Sequence, residues 1–585
     1  MYTRTKRQND ATESLPNTRF VSATPGDAHR RAAQTFACLK PRNTAAREAF
    51  HDVANAILQE KRFLHHQSYV HIEDEQSLLY LRDETPQVRY DGNGMTDSAS
   101  ATERDTETER EHQAYMQAQE PKKLWDGYYK FDLSVPPGLP RAGWIAGRGR
   151  WPAEDRALAK VNPYGGVDFL LATQPIPRVR GIHARFEYKE TGMLHLHALH
   201  PEPHGISLDG QNICKSHGAL NHGVSKIQIG PLQYEFGYTA RTEAEETKFQ
   251  EDKRKYFETE LHAPSPPPAL SITPSQTNLQ IGEWTFSSPL GRGGFGTVSA
   301  ASNFRGEAVA IKSMMRSNQK DNQMIQREIN NLNLLKPLLE DEDTGLRIMR
   351  LVDVIYQFGN PAWDSNGTRP FEYVWILSLP LARGTFTELI HEGTTRDNDC
   401  YAALLKQILL GLAFLHRNKW IHCDIKPANL GFISLVPPKA VVLDLGQARS
   451  IPDSGWLESS PGSCGTIGYL APEMEQDAFN ESIDVWALGV VGYELLVGSH
   501  PWMMAQNPWR TGGEQLRPKW EDRYRTAMKE LQDSDDGTIE DLLAQMLQHS
   551  AGKTGSTRQR ISASDALQHD FWSLTSIGSR RKRKG

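Results

Sequence analysis

Residues 91–122 (DGNGMTDSASATERDTETEREHQAYMQAQEPK) hold almost no large apolar side chains, and a segment that cannot bury apolar surface cannot offset the entropy of becoming ordered. The chain must therefore fold in pieces on either side of it. A second division lies at APSPPPALSITPSQ, 263–276, whose prolines make a semi-rigid spacer. At roughly 150 residues per domain, 585 residues leave room for more than one core. The expected order is 1–124 mostly disordered with one or two helices, a strand-rich block over 125–240, a helix and Pro-rich linker over 241–280, a large mixed block over 281–573 and a basic tail at 574–585. Within the first stretch, 44–64 sets Phe50, Val53, Ala54, Ile57 and Leu58 near helical spacing and predicts an amphipathic helix. TEAEETKFQEDKRKYFETELH predicts another.

Lys and Arg total 66 against 72 Asp and Glu, a net charge of -6, so direct nucleic-acid binding is not expected of the chain. Cys38, Cys214, Cys400, Cys423 and Cys464 are scattered without CxxC spacing and read as reduced thiols in an intracellular protein. The N-terminus carries no apolar core of a secretory signal, and the most apolar stretch, Trp486–Gly498, is short and interrupted by Gly489, Gly492 and Glu494. No membrane association is expected.

Chemistry concentrates in the large block. LGRGGFGTV, Leu290 to Val298, sets Gly291, Gly293 and Gly296 on a hairpin where missing side chains let backbone amides approach phosphate oxygens. Farther on, VAIK ends an apolar β-branched strand in Lys312, a cation that is costly to bury without a partner. In DNQMIQREINNLNLL, Ile325, Ile329 and Leu332 form the inward stripe of a helix and Glu328 lies on that face. It is either the partner of Lys312 or a solvated helical Glu beside Arg327. IHCDIKPANL then supplies His422, Asp424, Lys426 and Asn429, and VVLDLG supplies Asp444 after another apolar strand. GTIGYLAPE and IDVWALG follow in order.

With these motifs, residues 281–573 resemble a eukaryotic protein kinase domain. The resemblance implies a bilobal α+β fold, ATP and Mg2+ as cofactors, and protein substrates. Leu290, Gly291, Arg292, Gly293, Gly294, Phe295, Gly296, Thr297 and Val298 would cover the nucleotide with Ala310, Lys312 would hold its phosphates while paired to Glu328, and Asn429 with Asp444 would hold metal. Asp424 would accept the proton of the substrate hydroxyl. Lys426 is the residue type of Ser/Thr kinases, and Thr466 fits the same class. Glu473 would pair with Arg560 structurally. Two positions depart from the family: Cys423 stands where an Arg is usual, and Leu445 where a Phe is usual. Leu445 keeps an apolar plug, whereas Cys423 removes a regulatory cation that would grip a phosphorylated loop. Arg449 is a partial substitute.

In 125–238, short runs such as GWIAGRGRW, RVRGIHARFEY, HGISLDGQNI and ALNHGVSKIQIGPLQYEF between Gly and Pro turns predict an all-β sandwich. Gly147-Arg148, His183-Ala184, Asp209-Gly210 and Ile227 to Gly230 make it resemble a forkhead-associated (FHA) domain. That resemblance implies phosphopeptide docking through Arg148, with Arg180 at the family's Ser position and His204 at its Asn position. A structural or dimerising sandwich is the open alternative. The His195, His197, His200 and His204 cluster matches no closed zinc pattern. SRRKRKG at the C-terminus is either a solvated tail or a nuclear localisation signal, the latter placing the protein in the nucleus and the former in the cytoplasm. The fold class expected is thus a bilobal kinase fold preceded by an FHA-like β-sandwich, with disordered N-terminus and linkers, and the layout is similar to checkpoint-type FHA kinases. The expected function is ATP-dependent phosphorylation of Ser/Thr hydroxyls; the alternative is a non-catalytic scaffold.

Overall fold

A computed structural model describes residues 35–73, 79–81, 122–149, 165–201, 205–266, 279–293, 296–340, 347–362, 371–392, 398–459, 462, 465–475, 478–510, 512–549 and 560–575. The chain divides into two compact units, one built mainly on residues up to Ala263 and the other mainly on Pro264 onward.

Residues 35–238 contain strands β1 (Thr35–Pro41), β2 (Val70–Ile72), β3 (Leu79–Leu81), β4 (Lys122–Leu124), β5 (Gly127–Asp132), β6 (Trp144–Gly147), β7 (Phe169–Leu170), β8 (Ala184–Tyr188), β9 (Leu194–Ala198), β10 (Ile206–Leu208), β11 (Gln211–Ile213), β12 (His217–Ala219), β13 (Val224–Ile229) and β14 (Leu232–Tyr238). They form a seven-stranded sheet in the order β11-β10-β13-β14-β1-β5-β2 and a five-stranded sheet in the order β12-β9-β8-β6-β7. Val224–Ile229 alternates strictly between exposed and buried, the period of a strand with one wet face. Phe131 fills the space between the sheets, with ring centroids 4.7 Å from Phe169, 5.0 Å from Phe186 and 5.4 Å from Phe236, all edge-on. Helix α1 (Thr44–Leu58) is capped by Asn43, whose Oδ1 accepts from Ala46 N at 3.1 Å, and it buries Phe50, Val53, Ala54 and Ile57. Helix α2 (Glu243–Thr259) starts with a Thr242/Glu245 capping box and stacks Tyr256 on Trp144 at 6.1 Å.

The boundary expected at residue 125 is corrected by β1, which lies in the middle of the larger sheet, hydrogen-bonded to β14 on one side and β5 on the other. The expectation of mostly disordered chain before 125 therefore fails for 35–72. TFACLKP is short and finds its partners roughly a hundred and two hundred residues away in sequence, so only the tertiary pairing identifies it as a central strand. Most of 91–122, and the tail from 576, lie outside the described residues.

The second unit is bilobal. Strands β15 (Gln280–Ile281), β16 (Trp284–Gly293), β17 (Gly296–Ser302), β18 (Ala308–Arg316), β19 (Arg350–Tyr356) and β20 (Glu372–Leu379) form a sheet in the order β15-β16-β17-β18-β20-β19. Helix α3 (Gln319–Glu340) covers one face with Ile325, Ile329, Leu332, Leu335 and Leu339, while Trp284, Val309, Ile311 and Leu377 form a small cluster of their own. The larger lobe comprises β21 (Gly384–Thr385), α4 (Phe386–Glu392), α5 (Asn398–Arg417), β22 (Trp420–Ile421), β23 (Leu430–Leu435), β24 (Pro438–Val442), β25 (Arg449–Ser450), α6 (Ser482–Val497), α7 (Arg517–Gln532), α8 (Ile539–Met546), α9 (Ala563–Ala566) and α10 (Phe571–Thr575). Among the described residues α5 is the one helix long and apolar enough to cross a membrane, yet its Leu404, Leu405, Ile408, Leu409, Leu412 and Leu415 are buried in this lobe's core. Helix α6, apolar all round, runs through the middle of that core as such a composition requires. Arg560, with no exposed side-chain surface, forks onto Glu473 at 2.6 and 3.3 Å and ties the start of α6 to the chain that precedes it.

Candidate active site

The β-branched alternation of β18 sends Val309 and Ile311 to one face of the sheet and Ala310 and Lys312 to the other. Helix α3 crosses that second face and turns Glu328 inward, 2 % exposed. The two meet: Lys312 Nζ lies 2.8 Å from both Glu328 oxygens and 3.2 Å from Asp444 Oδ1. Glu328 is thus the partner of Lys312 and not a solvated helical Glu. Burial by itself works against the ammonium, but the Glu328 and Asp444 carboxylates outweigh it and hold Lys312 above the usual lysine range. Burial would raise Asp444 too, and the Lys312 charge with the Gly446 N–H overcomes it and holds Asp444 below the usual carboxylate range. Both groups are therefore ionised at neutral pH.

Asp444 takes a left-handed backbone conformation, φ 57°, just after β24, and its Oδ1 accepts from Gly446 N at 3.2 Å. Leu445 behind it is fully buried, the apolar plug expected of it. Asn331, one turn along α3 from Glu328, donates its side-chain amide to the carbonyls of Leu445 at 2.8 Å and Ala448 at 3.0 Å.

The loop after β22 is hung from a single buried carboxylate. Asp484, near the start of α6 and 1 % exposed, accepts His422 N at 2.8 Å, Cys423 N at 3.0 Å and His416 Nε2 at 3.0 Å. Cys423 is held at φ 65° with its thiol buried. Asp424 then meets three side chains: Thr466 Oγ1 donates to Oδ1 at 2.6 Å, Lys426 Nζ lies 2.8 Å from Oδ2, and Asn429 Nδ2 donates to Oδ2 at 3.1 Å. Lys426 Nζ also donates to Thr466 Oγ1 at 2.9 Å. Asp424 and Asp444 line one cleft of about 300 Å³ with Lys312, Glu328, Lys320 and Arg327.

The roof of the cleft follows from strand register. Val298 is opposite Lys312 and Ala300 opposite Ala310, so these four share a face, with Leu290 and Leu381 packed against Ala300. Gly296 adopts φ 148°, and a Cβ there would stand 2.3 Å from the Ser313 carbonyl oxygen, so the hairpin can close only with glycine. Gly291 and Thr297 lie in the same hairpin, Gly291 opposite Val298 and Arg292 opposite Thr297. Gly293 pairs with Gly296. Gly294, Phe295 and the side chain of Arg292 lie outside the described residues. The donor set suits a hard divalent cation bound partly by phosphate oxygens: Asp444 is an ionised carboxylate, and Asn429 spends its Nδ2 on the Asp424 carbonyl and carboxylate while its Oδ1 accepts no hydrogen bond from the described residues.

Sequence reasoning singled out Lys312, Glu328, Asp424, Lys426, Asn429 and Asp444, and the structure brings all six to one place. It passed over Asn331 and Asp484. Asp484 stood inside the quoted IDVWALG run, and an Asp in an otherwise apolar helix was the available signal; Asn331 gave none beyond falling on the inward stripe.

In the first unit, Arg148 and Arg180 come together, Arg148 N donating to Arg180 O at 3.2 Å, and both side chains are exposed. A Cβ on Gly147 would sit 2.2 Å from the Gly181 carbonyl oxygen, which is why glycine precedes Arg148. His183 is buried, its Nδ1 accepting from Arg180 N at 3.1 Å. His204 lies outside the described residues. His197 pairs with Glu187 at 2.8 Å, and no group of three metal-ligating side chains occurs among the described residues.

The protein kinase domain family model matches residues 284–572. An Aurora kinase of Patiria pectinifera is 33% identical over 242 residues, 39% of this chain and 50% of that protein. A calcium/calmodulin-dependent protein kinase type 1 of Caenorhabditis briggsae is 28% identical over 233 residues, 39% of this chain and 59% of that one. Aurora kinase C of Mus musculus is 24% identical over 305 residues, 51% of this chain and 95% of that one. The chain spans about half the length of the first two of these relatives.

Proposed function

Residues 284–572 match the protein kinase domain family, and from that match we propose that the chain transfers the γ-phosphoryl group of ATP to Ser and Thr hydroxyls of protein substrates. The chief support is the Lys312 ammonium held between Glu328 and Asp444, a fixed cation at the back of a cleft that also contains Asp424. Bound Mg2+ would supply charge neutralisation at the phosphates, with Asp444 and Asn429 holding it. Lys312 binds and orients phosphate oxygens. Asp424 accepts the hydroxyl proton; its two oxygens are already aimed by Thr466, Lys426 and Asn429, so no reorganisation is needed when the substrate arrives. Lys426 places a cation beside the proton acceptor, where charge develops on the transferred group. The Lys426–Thr466 contact favours Ser/Thr over Tyr.

The test is phosphate incorporation from labelled ATP into a Ser/Thr peptide library. Lys312→Met and Asp444→Asn should each lower it by at least roughly a hundredfold without unfolding the domain. If the unaltered protein binds no ATP by calorimetry and incorporates no more phosphate than Asp444→Asn, the chain is a non-catalytic scaffold.

The same proposal gives the β-sandwich the role of an FHA-like module that docks phosphopeptides at Arg148 and Arg180, two exposed guanidinium groups on adjoining loops. Binding should be weak and salt-sensitive, because the hydroxyl expected at position 180 is replaced by a charge. Calorimetric titration of a phosphothreonine library against the intact chain and Arg148→Ala decides this, equal heats removing the role. SRRKRKG would direct the protein to the nucleus; a tagged chain lacking 579–585 should become cytoplasmic, and an unchanged distribution removes that role too.

A further inference from the structure

The phosphoryl-transfer reading, on which this inference rests, requires that the segment facing the substrate be held in place. Cys423 offers no cation to it: the thiol is buried among Ile425, Leu470, Met474 and Ile483. The segment is gripped elsewhere. Leu457 and Phe479 exchange backbone hydrogen bonds at 2.8 and 2.9 Å, and Ser459 Oγ donates to Met474 O at 2.7 Å. Arg510 forks onto Glu475, Nη2 to Oε1 at 2.8 Å and Nε to Oε2 at 3.0 Å, and Gly462 N lies 3.3 Å from the same Oε2. The Glu475 side chain is 2 % exposed, so its charge depends on this partner.

Arg510 is presented by a stiff turn. Asn507 Oδ1 accepts Trp509 N at 2.9 Å, Asn507 O accepts Arg510 N at 3.2 Å, and Arg510 O accepts Gly513 N at 2.9 Å. Any Cβ at Gly513 would lie 2.0 Å from the Asn507 carbonyl oxygen. Trp509 packs edge-on against Trp520 at 5.4 Å, anchoring the turn to the aromatic cluster of the large lobe. A planar guanidinium held in advance loses little freedom in making two hydrogen bonds. Glu475 lies nine residues beyond Thr466, which donates to the Asp424 carboxylate, so the ion pair restrains the same stretch of chain that touches the proton acceptor.

We propose that Glu475 and Arg510 are positioning residues for phosphoryl transfer: their ion pair, buried on the Glu475 side, holds the chain around Gly462 and Thr466–Glu475 against Asp424. Phosphorylation of Ser450, Ser454, Ser459, Ser460, Ser463 or Thr466 is then not needed to order this segment.

The experiment uses the full chain, phosphatase-treated, with loop sites confirmed empty by mass spectrometry, and the best peptide from a positional Ser/Thr library. The unaltered enzyme should keep its rate within about twofold after treatment. Glu475→Gln and Arg510→Met should lower kcat/KM for the peptide at least roughly tenfold, with KM for ATP within about twofold, and Arg510→Lys should restore part of the loss. The double variant Glu475→Gln/Arg510→Met leaves neither charge buried alone, so it should fold normally and still show the peptide defect. Normal peptide kinetics in a folded double variant, or a tenfold or larger loss on dephosphorylation of the unaltered enzyme, overturns the proposal. Hydrogen exchange over 457–475, faster in the double variant with Asn398–Arg417 unchanged, is expected whether or not the chain transfers phosphate. Equal exchange therefore overturns the clamp, whereas absent transfer in the unaltered protein overturns only the kinase reading.

Discussion

Asn331 donates a side-chain amide hydrogen to the carbonyl oxygen of Leu445 at 2.8 Å, joining the helix that carries Glu328 to the residue next to Asp444. Its other amide contact, 3.0 Å to Ala448 O, closes the same short turn from the far side. A neutral residue thereby braces the helix of Glu328 against the turn that carries Asp444.

Asn331→Leu keeps the volume and removes both hydrogen bonds, leaving two buried carbonyls without that donor at a cost of about 1–3 kcal/mol. The expected outcome is a fall in kcat of at least roughly tenfold that exceeds the loss in stability, because Asp444 is released from Lys312. Thermal melting measured beside steady-state kinetics checks it, and an unchanged kcat in a folded variant contradicts it.

Asp484→Asn turns one of two acceptor oxygens into a donor that faces the backbone N–H of His422 or Cys423. Cys423 would then lose what holds it at φ 65°, and Asp424 would shift. Phosphoryl transfer should drop by about two orders of magnitude, while binding of ATP, judged by calorimetry, stays close to normal.

Arg316 has no exposed surface and binds Glu372 through Nε at 2.9 Å and Nη2 at 2.7 Å, with Asn360 O at 2.9 Å and Pro361 O at 3.0 Å completing the fork. Arg316→Met strands the Glu372 carboxylate in the interior, which costs about 3–5 kcal/mol. A denaturant midpoint should fall accordingly, and Arg316→Met/Glu372→Gln should recover much of the loss.

Burial against Gly468, Tyr469 and Trp502 pushes the His500 imidazole down to about 4. Its Nδ1 accepts from Trp502 N at 3.1 Å, which needs the unprotonated ring. The folded chain therefore resists a proton that the unfolded chain takes up from about pH 6.5 downward. The stability tied to the neutral ring is complete above that pH and is lost as pH falls toward 4, reaching about 2 kcal/mol by pH 5. Melting temperature against pH should show this slope in the unaltered chain and a shallower one in His500→Gln.

The small set of reacting side chains was legible because each stands in a run whose local period places it. Lys312 ends an alternating apolar strand, Glu328 sits on a helix stripe, and Asp444 follows VVL, so their elements could be assigned without knowing what they touch. The boundary of the sandwich was not legible, since Thr35–Pro41 is a strand only because β5 and β14 flank it. The same limit hid Asn331, whose partners are two carbonyl oxygens that any residue could have supplied.

Composition and periodicity alone determined that residues 125–238 are strand-rich and that the block over 281–573 carries two cations, three carboxylates and an amide in a fixed order. Those conclusions depend on side-chain type and near-neighbour spacing. Tertiary structure decided which charges meet. Glu475 and Arg510 lie thirty-five residues apart with no periodic relation, and Asp484 and Cys423 sixty-one, so their pairing came from the packing of α6 and the turns around it. A buried carboxylate must find a partner, but desolvation sets only that requirement; the fold chooses the partner.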